Sequence, residues 1–394
     1  MNNNYNAISS ILKCLQNNPL FDMSHGSKEL FHSDFFIYMY RINYDLFISF
    51  VNSLLPEGKK IKYRDDYQIA REEKKFDICL YHEEKYGKKQ EKTHKIYDLI
   101  IENKVKSIPY KEQLEEYRNK IKSGSPSYLL ISLVSDFPDR KYIEDENIWT
   151  IVNYTNVKKS IETHFVDLNN IRHEIYINDY CELLGLLNEL VNKTLEDFEE
   201  SKIYEYRHLF EQYRLHDLYM KLLNCKFIAY LKKGLKERNI NDIYDVNKHR
   251  EIRQHAKRGI YFNQTIYQGE GMIAAWFEKE DGPNKDIYEI VIQGHQYRHG
   301  INAERFKDNS AGKIASQNNL YKNFDDSMKA FMNEIPLEGE LKPTEIKITK
   351  NQDAQKIAAF NGYDYGYIYK YKSITNESVK ELIDIMIEDI IANF

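Results

Sequence analysis

Glycine and proline are scarce in this chain, 16 and 8 of 394 residues, which argues against a loop-rich or repeat-turn architecture. Cysteine is scarcer still. Cys14, Cys79, Cys181 and Cys225 lie far apart and form no C-x-x-C, which fits reduced thiols in a cytosol. No run reaches the ~18 apolar residues that a membrane-spanning helix needs. The first residues, "MNNNYNAISSILKCL", lack a basic segment followed by an apolar one, so no signal peptide is expected. Positive charge is not in excess. The net charge is −5, so any hold on phosphate must come from a local patch. There is no internal repeat and no low-complexity tract. The expectation is a soluble cytoplasmic protein.

What is present is an ordinary globular composition, 42% hydrophobic and 30% charged, with an unusual 32 tyrosines. The length suggests two or three domains. An amphipathic helix is expected over residues 5–20, with Ile8, Ile11, Leu12 and Leu15 on one stripe. A second helix is expected over 28–55, ended by Pro56-Glu57-Gly58. Two strands around a charged turn follow in 60–82, the second containing "FDICL". The charged insert "HEEKYGKKQEKTHK" reads as a solvated hairpin tip. Then come a strand in "DLII", a helix over 110–122, the strand "YLLISLV", and a strand leading to a helix capped near Thr155. Residues 175–240 read as helical. Residues 258–300 read as β-rich, with turns at 269–271 and 281–284. Strands near 344–349 and 363–372 and a helix over 377–393 complete the chain.

The stretch "DLIIENKVKSIPYKEQLEEY", residues 98–117, raises the functional question. An apolar strand ends in Glu102-Asn103-Lys104. Side chains alternate along a strand, so Glu102 and Lys104 share a face. Nine acid-x-Lys triplets occur in the chain, so the spacing alone carries no signal. Context separates this one. It ends a run as apolar as "DLII", and Asp77 stands alone among apolar residues in a strand 25 positions upstream. Neighbouring strands would bring Asp77 and Glu102 together, with Lys104 one step along. Such a group is either a structural ion pair or a site. Two close carboxylates repel unless a proton or metal sits between them. Hard oxygen ligands suit Mg²⁺ or Mn²⁺, and a lysine beside them can orient water or stabilise charge on a phosphate. These are parts for metal-assisted phosphodiester hydrolysis.

With Gln113 and Tyr117 on the following helix, this ordered set resembles the PD-(D/E)XK, or restriction-endonuclease-like, nuclease superfamily. More narrowly, "ELFHSDFF", "FDICL", "IIENKV", "QLEEY" and "YLLISLVSDFPD" are similar to a prokaryotic branch of nuclease-like proteins. The resemblance covers roughly residues 25–165. It implies an α/β fold with a central mixed sheet flanked by helices. It also implies Asp77 and Glu102 as Mg²⁺ (or Mn²⁺) ligands, a main-chain carbonyl from Asn103, and Lys104 serving the attacking water. Glu29 on the first core helix would join the metal site, and Gln113 would line it. The nominal Pro is absent, since Phe76 precedes Asp77.

Each residue also has a plainer reading. Glu29 can be a helix N-terminal acid favoured by the dipole. His32 and Ser33 read as packing and hydrogen-bonding residues at a helix start. Gln113 and Tyr117, at i and i+4, can be a surface pair instead of reaching the site together. His295 and His299 have a zinc-like spacing without partner ligands. Gly269 and Gly271 lack the rest of a dinucleotide fingerprint. The basic run over 248–259 offers Lys248, Arg250, Arg253, Lys257 and Arg258 as nucleic-acid contacts, with Tyr117 as another, or is simply a solvated face. "NGYDYGYIYKYK" can stack on bases, although tyrosine-rich strands usually pack into a sheet.

The expected organisation is a nuclease-like domain over 1–170, a helical segment over 171–245, and an α+β domain over 246–394 for substrate or partner binding. The expected activity is Mg²⁺-dependent hydrolysis of DNA, in defence against foreign DNA by family analogy. The alternative is a silent nuclease-fold module that binds nucleic acid or a protein. Expected partners are nucleic acid and a second copy of the chain, with no membrane.

Overall fold

The computed structural model describes residues 3–24, 29–86, 92–137, 139–246, 259–267, 270–278, 287–303, 326, 329, 332–345, 348–351, 354–357 and 366–394. The chain divides into two compact units. One comprises Met1–Asp197 with Leu209–Leu222, and the other Phe198–His208 with Leu223–Phe394.

The first unit opens with helices α1 (Asn3–Asn17), α2 (Pro19–Met23), α3 (Glu29–Ile42) and α4 (Tyr44–Leu54). The single helix expected over 28–55 is therefore two. Asn43 leaves the helical region, and its side chain accepts the Leu46 N–H at 3.0 Å, which starts a new helix. The sheet follows as β1 (Gln68–Arg71), β2 (Ile78–Tyr86), β3 (Lys92–Lys104), β4 (Ser127–Ser132) and β5 (Trp149–Asn153), in that spatial order. Strands β1 to β3 are antiparallel, whereas β3, β4 and β5 run parallel. Each parallel step needs a crossover. Helix α5 (Lys111–Lys120) makes the first, and α6 (Arg140–Glu146) makes the second. Helix α6 was not expected. Ile143 is its one buried residue, so it carries no apolar stripe to read.

The charged insert supplies the paired arms of a hairpin, and residues 87–91 between them lie outside the described residues. His82 to Tyr86 pair with Ile96 to Lys92, and the register shifts between Leu80 and Tyr81, where Asp98 is the extra residue. Below that bulge, Ile78 pairs with Ile101, so Asp77 arrives beside Glu102. Leu99, Ile100 and Ile101 are fully buried, each contributing about 1.5–3 kcal/mol by leaving water. Helix α7 (Tyr154–His164) is capped by Asn153, two residues before the expected Thr155, and α8 (Ile171–Glu196) buries the stripe from Cys181 to Val191 within this unit.

Helices α9 (Ile203–Glu211) and α10 (His216–Glu237) come next. The second unit has a seven-stranded sheet. Its strands are β6 (Ile243–Asp245), β7 (Ile260–Tyr267), β8 (Glu270–Phe277), β9 (Ile287–Gln293), β10 (Gln296–Ala303), β11 (Lys342–Glu345) and β14 (Gly366–Ser373), in the order β11-β14-β10-β9-β8-β7-β6. A separate hairpin joins β12 (Ile348–Asn351) to β13 (Ala354–Ile357). The last helix, Val379–Asn393, starts at a capping box between Ser378 and Glu381. The tyrosine-rich segment over 366–373 is paired with β10 on one side and β11 on the other. Of the expected turn at 269–271, Glu270 and Gly271 open β8, paired with Tyr267 and Ile266, while Gly269 and the expected turn at 281–284 lie outside the described residues.

Among the described residues, no helix is long and apolar enough to cross a membrane. None of the four cysteines is in a disulfide, and three are buried.

Candidate active site

Strand β3 carries Glu102 and Lys104 to the point where its pairing with β4 ends, at Lys104 opposite Ser132. Alternation then sorts the side chains. Glu102 and Lys104 lie on the face covered by α5, and Asn103 lies on the other. The Asn103 amide donates to Ser33 Oγ of α3 at 2.8 Å, and the Tyr154 hydroxyl of α7 donates to Asn103 Oδ1 at 3.4 Å. The Asn103 side chain is thus committed behind the sheet. Its main chain is what it offers to the acids, and the Asn103 N–H donates to Asp77 Oδ2 at 2.7 Å.

Glu102 is almost fully buried. Its Oε1 lies 2.6 Å from Lys104 Nζ, accepts from Gln113 Nε2 at 3.1 Å, and lies 3.5 Å from the Tyr117 hydroxyl. Gln113 also donates to Tyr117 at 2.8 Å. Tyr117, expected as a nucleic-acid contact, is buried instead. Phe76 packs edge-on to its ring with centroids 5.3 Å apart. The residue that replaces the nominal Pro therefore backs the tyrosine that faces Glu102. In contrast to Oε1, Glu102 Oε2 is buried without a hydrogen-bond partner.

The electrostatics follow from burial and crowding. Burial pushes the Asp77 carboxyl up to about 6, with Glu29 adding to the rise and the Asn103 N–H and Lys104 opposing it. Burial raises the Glu102 carboxyl too, and Asp77 and Glu29 reinforce the rise against Lys104. For Lys104, burial works against the charge, but Glu102 and Glu29 outweigh it and raise its pKa. Glu29 goes the other way. Burial opposes its ionisation, yet Lys104, Ser107 and Lys221 hold it below the ordinary carboxylate range. Glu29 Oε1 accepts from the N–H groups of Lys106 and Ser107 at 3.0 and 2.8 Å and from Ser107 Oγ at 2.7 Å. Glu29 is thus anchored to the turn just after Lys104.

Asp77, Glu102, Lys104 and Gln113 therefore converge, with Glu29 electrostatically coupled at the margin. Among the described residues, no group of three or more His, Cys, Asp or Glu is arranged to hold a metal ion. The donor set nonetheless fits a divalent cation in one respect. A buried carboxylate oxygen without a donor, beside a second acid of raised pKa, is an acceptor that a hard cation would satisfy.

The other residues singled out in the sequence are not part of this cluster of charges. His32 is fully buried, with Nδ1 2.9 Å from the Tyr180 hydroxyl, and Ser33 Oγ holds Asn103. His299 packs inside the second unit, with Nε2 2.6 Å from Asp389 Oδ2. Lys248, Arg250, Arg253, Lys257 and Arg258 lie outside the described residues. Sequence reasoning missed Lys221, which is fully buried and donates to the main-chain carbonyls of Lys104 and Val105 at 3.0 and 3.2 Å. A signal existed: Lys221 lies between Leu218 and Cys225 on a buried helical stripe.

A carboxylate pair and a lysine thus stand at the end of a central strand, buttressed by a glutamine from the next helix. Residues 5–182 match the family model of the PD-(D/E)XK nuclease superfamily. No curated protein and no solved structure matches the chain.

Proposed function

We propose that the protein is a divalent-cation-dependent nuclease that hydrolyses phosphodiester bonds in DNA, acting in defence against foreign DNA. The observation that carries this reading is the asymmetry of Glu102. One oxygen is held by Lys104 and Gln113 beside Tyr117, while the other is buried and unpartnered next to Asp77. That arrangement orients a carboxylate while keeping one lone-pair edge open.

Asp77 and Glu102 would hold Mg²⁺ or Mn²⁺, with the Asn103 carbonyl completing the inner set and Glu29 at its edge. When bound, the cation supplies Lewis-acid stabilisation of charge on the phosphate and lowers the pKa of water. Lys104 keeps its proton at neutral pH, so its role is to orient the attacking water and stabilise developing negative charge. Gln113 holds the orientation of Glu102.

The test is incubation of the purified chain with plasmid DNA, and separately with RNA, in Mg²⁺ or Mn²⁺, beside Lys104→Ala and Asp77→Ala. DNA cleavage by wild type and its loss in both variants is the expected result. Cleavage that persists in both variants sinks the assignment, and cleavage of RNA alone reassigns the substrate.

A second reading rests on the closed Glu102–Lys104 pair and the absence of a three-ligand group among the described residues. On that reading the module binds nucleic acid or a protein without turnover. Calorimetry separates the two, because a silent module takes up neither Mg²⁺ nor Mn²⁺.

A further inference from the structure

Beyond the segment that matches the family, the first unit takes in Leu209–Leu222, which carries the start of α10. This segment grips the turn that follows Lys104. Lys221 Nζ donates to the carbonyls of Lys104 and Val105. Lys106 Nζ lies 3.1 Å from Asp217 Oδ1 and donates to the Arg214 carbonyl at 2.8 Å. On the same turn, the N–H groups of Lys106 and Ser107 hold Glu29. Four consecutive residues, 104 to 107, are thereby pinned between Glu29 on one side and α10 on the other.

An ammonium is costly to bury, and main-chain carbonyls offset only part of the cost. A neutral donor would tie two carbonyls with far less desolvation. The charge is balanced by the acids around it. Lys221 lowers the Glu29 carboxyl, and Glu29 in turn is coupled to Asp77, Glu102 and Lys104. The acids outnumber Lys104 in this cluster, which gives a second, permanently buried cation a reason to be there.

We propose that Lys221 is a positioning residue of the nuclease-like site: it fixes the main chain that carries Lys104 and supplies a buried positive charge that limits the site's negative potential. This inference rests on the proposed metal-dependent reading of the same site. Lys221 is fully buried, so it acts through the turn and through its field, without touching substrate. The residue lies 39 positions past the matched segment, at 221 against 182, so the site is not complete within that segment.

The experiment uses the full chain with Lys221→Gln, which keeps a donor but removes the charge, and Lys221→Met, which removes both. Melting temperature, plasmid cleavage and binding of Mn²⁺ alone by calorimetry are read together. Lys221→Gln is expected to fold, to lose about tenfold in kcat at unchanged KM, and to bind Mn²⁺ more tightly because a like charge has gone. Lys221→Met loses more kcat, since the turn is also released. Wild-type kcat and Mn²⁺ affinity in a folded Lys221→Gln overturn the proposal. If neither variant folds, Lys106→Met decides: it removes both the Asp217 and the Arg214 ties without touching the buried charge, and an undiminished kcat overturns the pinned turn. A wild type that binds Mn²⁺ but cleaves nothing removes the proposed hydrolysis, while the Mn²⁺ affinity of Lys221→Gln still reads Lys221. A wild type that neither binds nor cleaves removes both.

Discussion

Each unit buries a carboxylate in a polar cluster, and the two clusters are finished differently. In the second unit, Tyr297 and His299 point from one face of β10 to Asp389 on the last helix. Asp389 Oδ2 accepts from the Tyr297 hydroxyl at 2.8 Å and lies 2.6 Å from His299 Nε2, while Oδ1 accepts from Asn393 Nδ2 at 2.9 Å. Both oxygens are satisfied. In the first unit, Glu102 has its donors on one oxygen and none on the other, with Asp77 beside it. A carboxylate satisfied at both oxygens fastens elements together, and in the second unit's cluster the buried atom without a partner is His299 Nδ1, a ring nitrogen and not a carboxylate oxygen. A half-satisfied carboxylate crowded by a second acid holds unspent capacity for a ligand. The difference lies in how the donors are distributed, not in burial, because both carboxylates are almost inaccessible.

The strongest way to break this comparison is at Lys104 and Asp77. Alanine at either position is expected to lower cleavage by about 10²–10⁴-fold with the fold retained by circular dichroism. Asp389→Ala should behave in the opposite manner. It strands the Tyr297 hydroxyl and His299 Nε2, and should lower unfolding free energy by about 1–3 kcal/mol in denaturant titration while Mn²⁺ binding stays at wild-type level. Loss of Mn²⁺ binding in that variant would collapse the distinction between the clusters. Gln113→Ala sharpens it. Removing one donor from Glu102 Oε1 should cost about tenfold in activity with little change in stability.

A last effect, on stability alone, concerns His32, which burial holds at about 3, far below its ordinary value. Its folded pKa lies below its unfolded pKa, so the unfolded chain binds the proton more readily. Stability from this residue is complete above about pH 6.5 and declines by about 1.4 kcal/mol per unit as pH falls from there toward 3. Denaturant titration of wild type against His32→Gln at pH 7 and pH 5 should show the wild type losing more over that interval.

The parts of the site that were legible are those whose signal is local. "DLII" followed by Glu102-Asn103-Lys104 reads as a strand with two polar residues on one face, and the i, i+4 spacing of Gln113 and Tyr117 delivers both to Glu102. Asp77 was legible as a lone acid among apolar residues. Tyr117 was read as a nucleic-acid contact because spacing says which residues share a face and not what covers that face. Helix α6 was missed because it buries one residue, and the break at Asn43 because the apolar pattern runs on through a residue that caps the next helix.

The sequence by itself determined the order of helices and strands apart from α6 and the break at Asn43, the apolar run that makes β3 a central strand, and the chemical types at its end. Those follow from periodicity and residue chemistry, which act over a few positions. Only the tertiary structure decided that the bulge at Asp98 brings Asp77 level with Glu102. It alone left one Glu102 oxygen open, anchored Glu29 to the turn after Lys104, and brought Lys221 from 117 residues away to that turn. These depend on register and on which helices meet at a strand end, and contacts between distant parts of a chain leave no period along it.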